Sequence, residues 1–208
     1  MDHLQQLVER YPFFESIRND INYACETIIN SFSGGGKLLI AGNGGSAADA
    51  EHIVGELMKS FVKKRKLPED FIKTIKTYDP EIAAYLIPRL QPGLPAIALS
   101  GHASLNTACI NDIDGNITFS EQVYGYGKPG DLFLGISTSG NSKNILYAAA
   151  TAKAKGLKTI ALTGCDGGSL KTISDISIVV PEKETYKIQE LHLPVYHCLC
   201  LMIEEYFF

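Results

Sequence analysis

Five short apolar runs limit this chain to very few folds. They are Leu38–Ala41, Ala96–Leu99, Leu132–Ile136, Thr159–Leu162 and Ile176–Val180, and turn residues follow each one. Runs so short and so continuously apolar suit strands covered on both faces. Helical stretches lie between them, of which Asn144 to Lys155 is the clearest. Such a β-α-β alternation predicts an α/β fold, with a five-stranded parallel sheet, right-handed crossovers and helices on both faces. With 208 residues the chain is long enough to bury one such domain.

The turn after the first run carries the strongest chemical signal. Gly42-Asn43-Gly44-Gly45-Ser46 leaves a buried strand and opens a helix. Its glycines let the backbone turn sharply and approach a ligand. A helix N-terminus behind a glycine turn favours an anion, most often a phosphate. Ser46 with Asp49 three residues on matches a capping box and predicts that the helix starts there. Further along, His52 and Glu56 are four apart and share a helix face, where they can hold a metal or move protons. A nicotinamide cofactor is not expected. Gly42-x-Gly44-x-x-Ala47 fits the dinucleotide fingerprint formally, but no acid ends the next strand, which closes in Ser100-Gly101-His102. The absence of Gly-Lys-Ser/Thr after the turn excludes a P-loop, so no nucleotide cofactor is predicted.

Around this core, Phe14, Ile17, Ile21, Ala24 and Ile28 recur at helical spacing, with Pro12 suited to a first turn. The N-terminal helix, placed within residues 1–33, either covers the sheet or packs on another subunit. Residues 60–93 read as a helical insertion after the first βα unit. Helix starts are expected at Leu67-Pro68-Glu69-Asp70 and at Asp79-Pro80-Glu81, and Lys63-Lys64-Arg65-Lys66 is expected to be a solvated face. From Thr185 to Glu205 the pattern is helical again, and Pro194 should kink that helix or mark its true start.

A net charge of −4 gives no basic footprint for nucleic acid. The N-terminus lacks a signal-peptide pattern, no apolar run could span a bilayer, and five scattered cysteines read as reduced thiols. A cytoplasmic protein without a membrane partner is the expectation.

A second ligand loop, Ile136-Ser137-Thr138-Ser139-Gly140-Asn141-Ser142, sits between a strand and a helix, where open α/β sheets bind ligands. Its hydroxyls and free helix amides make a neutral phosphate cradle. On the last helix Gln189 and His197 are eight apart, two turns, and can face one site. A histidine on an apolar helix is more often a hydrogen-bonded core residue than a ligand. With His52 and Glu56, however, the set offers two imidazoles, a carboxylate and an amide oxygen, which zinc or a similar ion accepts.

Together these motifs resemble the sugar-isomerase (SIS) domain superfamily, and within it the phosphoheptose isomerases. The matching text is Gly42 to Ser46 with Asp49, His52 and Glu56; Asn111-Asp112; Gly130-Asp131; Ser137 to Ser142; Leu162-Thr163-Gly164; and Gln189-Glu190 with His192 and His197. The resemblance covers most of the chain outside residues 60–93 and implies a single SIS domain over residues 1–208, a flavodoxin-like three-layer sandwich. It implies a homotetramer and one zinc per subunit on His52, Glu56, Gln189 and His197. The substrate implied is a small sugar phosphate, sedoheptulose 7-phosphate or a relative, isomerised through an enediol with Glu56 and His197 as the catalytic pair. Binding residues carried over are Asn43, Gly44, Gly45, Ser46, Asn111, Asp112, Ser137, Thr138, Ser139, Ser142 and Gln189. The chain departs from the family pattern in having Lys59 and Ser60 where an arginine is usual, Tyr186 for an aspartate, and Ser100-Gly101-His102 after the second strand. The rival reading is a non-catalytic SIS regulator or adaptor, of the kind that binds a replication initiator.

Overall fold

The computed structural model describes residues 2–208. Its sheet holds β1 (Leu38–Ala41), β2 (Ala96–Ala98), β3 (Leu132–Ser137), β4 (Lys158–Thr163) and β5 (Ile176–Val179). The order is β2-β1-β3-β4-β5, with every pairing parallel. All five predicted runs are strands, within two residues at their ends. The chain winds outward from β1 in both directions, so a crevice opens where β1 and β3 end, the place such sheets use for ligands.

The strand period of two divides the core. Leu38, Ile40, Leu132, Leu134, Ile160 and Leu162 face one side. There they meet α2 (Arg18–Ser33), α3 (Gly45–Met58) and the long α10 (Thr185–Phe207). The opposite side takes Leu39, Ala41, Phe133 and Ala161 against α7 (Thr118–Tyr126), α8 (Lys143–Ala154) and α9 (Gly168–Ile173). Gly135 lets α8 close on the sheet, since a Cβ there would stand 2.9 Å from Ile145. The remaining helices are α1 (His3–Arg10), α4 (Glu69–Tyr78), α5 (Pro80–Leu86) and α6 (Ala103–Asp112).

Four local expectations change. The N-terminal helix is two helices, because Pro12 begins a 3₁₀ turn that runs to Ile17 and re-aims the chain. The five apolar residues named for it are nevertheless all buried. The Ser46–Asp49 capping box does not form; Gly44 is the N-cap, Ser46 is buried, and Asp49 accepts a hydrogen bond from Tyr196 instead. Helix α10 does not start at Pro194 but runs through it, from Thr185 to Phe207. Pro194 and Glu190, whose carbonyl loses its helical partner, both line an open groove against α1 where water can reach. Finally, the basic run is not uniformly solvated, since Arg65 is buried. Asp79, by contrast, caps α5 as its sequence predicts, accepting from the Glu81 and Ile82 amides.

Candidate active site

Helices α3 and α10 run side by side in the same direction, and their shared seam collects the ionisable groups. The cross-contacts keep a nearly constant offset along the chain. Gly45 lies against Gln189, Asp49 and His52 against Tyr196, and His52 against His197. At the centre, His52 Nε2 is 3.2 Å from Glu56 Oε1 and 3.4 Å from His197 Nε2. Lys59 Nζ reaches the other Glu56 oxygen at 3.1 Å. Burial lowers the His197 pKa from its ordinary value, and the nearby His52 charge acts in the same direction against Glu56.

Behind His52 stands a second layer of partners. Its Nδ1 is 3.0 Å from the Tyr196 hydroxyl, which lies 3.3 Å from Asp49 Oδ1. Donation from Nδ1 to the tyrosine leaves Nε2 with its lone pair facing Glu56 and His197. Burial raises the Asp49 pKa, opposed by the Tyr196 hydrogen bond and by His52. Sequence reasoning missed Tyr196. Its position directly before His197 and one turn after His192, on an otherwise apolar helix face, was the available signal.

The crevice end of the sheet holds the loops. Gly44, at φ +54°, is the N-cap of α3, and neither it nor Ser142, the N-cap of α8, makes a side-chain capping bond among the described residues, while Asn144 Oδ1 accepts from the Ile145 amide in the first turn of α8. Two helix N-termini therefore lie at the same end of the sheet, where their dipoles favour an anion, although the Ser46, Ala47 and Ile145 amides are already bonded within the turns. Asn43 and Asn144 exchange two side-chain hydrogen bonds of 2.9 Å, tying the β1 turn to the start of α8. In the loop after β3, the Ser137 and Ser142 hydroxyls are 3.1 Å apart, and Ser139 accepts from the Asn141 amide. Gly140, at φ +63°, is required there, since a Cβ would collide with the Gly167 carbonyl. Thr138 is half-buried beside them, its carbonyl accepting from Gly164.

The structure thus brings together Asn43, Gly44, Gly45, Ser46, Ser137, Thr138, Ser139 and Ser142 at one end of the sheet, and His52 and Glu56 of α3 with His197 of α10 further along the seam. Gln189 is not within that triangle. It packs against Gly45, about 12 Å up α10 from His197 at 1.5 Å per residue. Asn111 and Asp112 are not brought in either. They end α6, exposed and bonded to each other, because that helix leaves the sheet edge and carries them away over its ten residues.

The donor set fits a divalent ion in chemistry. Ligands at about 2.0–2.1 Å in a tetrahedron stand roughly 3.3–3.4 Å apart, close to the 3.2 and 3.4 Å separations around His52. His52 stands within hydrogen-bonding distance of both Glu56 and His197, and no formed cluster of three His, Cys, Asp or Glu ligands occurs among the described residues.

The SIS domain family pattern matches residues 2–77 and 81–164, running through much of the segment between β1 and β2. A phosphoheptose isomerase from Nitratiruptor sp. is 38% identical over 212 residues, covering all of both chains. One from Trichlorobacter lovleyi is 39% identical, covering 97% of this chain and 91% of that protein. This chain belongs to the phosphoheptose isomerase family. Among solved structures, the Neisseria gonorrhoeae phosphoheptose isomerase superposes with a TM-score of 0.76 at 30% identity, covering 98% of this chain and 95% of that one. As a member of this isomerase family the chain is an enzyme, and the regulator-or-adaptor reading is not favoured. No helix among the described residues is long and apolar enough to cross a membrane.

Proposed function

We propose that the chain interconverts sedoheptulose 7-phosphate and the corresponding aldose, D-glycero-D-manno-heptose 7-phosphate, using the α3–α10 seam for proton transfer. The observation that carries this reading is the contact of His52 with both Glu56 and His197. The β1 turn and the Ser137–Ser142 loop hold the phosphate through helix amides and hydroxyls, which fixes where the far end of the sugar lies. Seven residues of α3 separate Gly45 from His52, about 10 Å, comparable with an extended sugar phosphate.

The Glu56 carboxylate removes a proton from C1 of the ketose, and the C–H electrons form the C1=C2 bond of an enediol. His197 donates a proton to the C2 oxygen as its carbonyl π bond opens. Glu56 then returns its proton to C2, while His197 takes the proton from the C1 oxygen as the aldehyde forms. Tyr196 and Asp49 orient His52 throughout. His52, Glu56 and His197 would hold a zinc ion, which when bound supplies a positive charge that polarises the substrate carbonyl; Gln189, packed against Gly45, stands apart from them. The chain works as a homotetramer in the cytoplasm on this reading. Supporting the assembly are exposed apolar side chains such as Ile110, Ile113 and Tyr124, of the kind interfaces cover. Five free cysteines accord with a reducing compartment.

Phosphorus and proton NMR of purified protein with sedoheptulose 7-phosphate in deuterated water tests the chemistry. The expected result is an aldose phosphate, with solvent deuterium at C2 to the extent that the proton on Glu56 exchanges with water before it is returned; no aldose, with zinc supplied, sinks the reading. Elemental analysis of wild type and His52→Ala tests the metal, and light scattering tests the assembly.

A further inference from the structure

We infer that Arg65 and Glu204 form a buried clamp that sets the register of α3 against α10, which makes both of them positioning residues for the reaction. The inference rests on the reading of Glu56 and His197 given above. The Arg65 and Glu204 side chains are 0% and 1% exposed, and Arg65 Nε donates to Glu204 Oε1 at 3.0 Å. The same guanidinium donates to the Glu56 carbonyl at 3.0 Å, the Leu57 carbonyl at 2.6 Å and the Pro92 carbonyl at 3.3 Å. Helix α3 ends at Met58, so the Glu56 and Leu57 carbonyls are among those with no partner inside the helix. Arg65 therefore caps the helix by the backbone of the residue assigned the central proton transfer.

Glu204 completes the other half. Its oxygens accept from the Phe61 and Val62 amides at 2.8 Å and from Lys63 at 3.1 Å. Burial by itself pushes the Glu204 pKa up, but these amides and Arg65 outweigh it and hold the carboxyl below its ordinary value. Phe61, fixed by that carboxylate, sets its ring 5.3 Å from the His197 ring. Glu204 also lies seven residues after His197 on the same helix, two turns along one face. One ion pair thus connects the Glu56 backbone, the loop that walls His197 and the helix that carries His197. Stability alone does not account for it, because a well-packed apolar pair commonly serves a core as well or better. What an apolar pair lacks is the fork that grips three carbonyls and a carboxylate at fixed angles.

Two variants test the clamp. Arg65→Lys keeps the charge and loses the fork. Phe208→Ala removes the ring that packs 4.6 Å from the guanidinium, at a terminus already 38% exposed, so folding is not at stake. Each is compared with wild type at a temperature where circular dichroism shows all three folded. Expected is a kcat lower by about 10- to 100-fold in Arg65→Lys, with a smaller fall in Phe208→Ala. KM for the sugar phosphate should change less than kcat, because the phosphate cradle lies at the far end of α3 from the clamp and on the loop after β3. The ring-nitrogen resonances of His52 and His197, assigned through alanine variants, should move while those of His102 stay. Lower melting temperatures with unchanged kcat overturn the inference, as do unchanged His52 and His197 resonances. If Arg65→Lys does not fold, Phe208→Ala decides by the same two readouts. If wild type turns over no sugar phosphate, the functional reading fails on its own and the ring resonances alone decide the clamp.

Discussion

The two faces of the sheet bury comparable apolar strands against helices, yet they are built from different residues. On the α7–α8 side the contacts are small and apolar, with Ala148, Ala149 and Ala152 lying flat against Phe133 and Ala161. On the α3–α10 side the apolar layer next to the sheet is similar, but a second seam lies above it, where helix meets helix. That seam holds Asp49, His52, Glu56, Arg65, Tyr196, His197 and Glu204. Strands buried on both faces have nowhere to place charges, because an unpaired buried charge costs several kcal/mol. A seam between two helices can hold them, since each group finds a partner across it and one edge stays open to substrate. Chemistry and packing are thereby separated within one small domain, and substitutions on the two sides should have different signatures.

The largest expected effect is on the seam. Glu56→Gln keeps the size and a ligand oxygen of the side chain but removes the proton acceptor. Turnover should fall by about 10²–10⁴-fold, with sugar-phosphate binding measured by calorimetry largely retained. Near-normal turnover would break the comparison at its centre, since the proton would then be moving through some other group.

Next comes the opposite face. Phe133 is fully buried near the start of β3, and Phe133→Ala should lower unfolding free energy by about 3–5 kcal/mol. Activity per folded molecule should hold. If kcat falls as it does in the seam variants, the two faces are not separable.

The same contrast explains what could be read from the sequence. The strands and the two glycine- and serine-rich loops were legible because their signals are local: an apolar run of four to six residues, and turn residues directly after it. The triad was partly legible, as His52 and Glu56 share one helical turn. What pairs them with His197 is a contact across 145 positions, which the residues alone left open and only the family resemblance supplied. Arg65 shows the limit most clearly. Within Lys63-Lys64-Arg65-Lys66 it looks like its neighbours, and the partner that buries it, Glu204, is 139 positions away. Ser46 and Asp49 misled for the same reason, because Tyr196, 147 positions on, takes the carboxylate that local spacing assigned to a cap.

A smaller effect should appear with pH. His192 lies fully buried on α10, with no hydrogen-bond partner for either ring nitrogen among the described residues. Burial lowers its pKa to about 4, and the Thr163 backbone nearby offsets little of this. The unfolded chain, with an ordinary histidine pKa near 6.5, takes up the proton first as pH falls. Stability from this group is therefore complete above about pH 6.5 and drains away toward pH 4, with about 2 kcal/mol gone by pH 5. Urea unfolding at pH 7 and pH 5 should show that loss in wild type and a much smaller one in His192→Gln. Equal losses would mean the acid sensitivity belongs to other groups. A Phe133→Ala background should leave the slope intact, since that residue is on the other face.

The smallest effect is expected where the two faces meet, at the sheet edge. The Ser137 hydroxyl sits in a nearly buried side chain at the end of β3, 3.1 Å from the Ser142 hydroxyl, at the mouth of the α8 helix terminus. Ser137→Ala removes one neutral donor from a cradle whose other donors are backbone amides and neighbouring hydroxyls. A single neutral hydrogen bond is worth about 1 kcal/mol net, so KM for the sugar phosphate should rise roughly five- to tenfold while kcat changes little. Ser139, exposed at the tip of the loop and already accepting from Asn141, should matter less, and Ser139→Ala serves as the internal control. Inorganic phosphate as a competitive inhibitor gives the sharper reading. Its inhibition constant should rise in parallel with KM in Ser137→Ala, because both report the same anion in the same cradle. If KM rises while phosphate inhibits as before, Ser137 contacts the sugar and the phosphate sits elsewhere along the crevice.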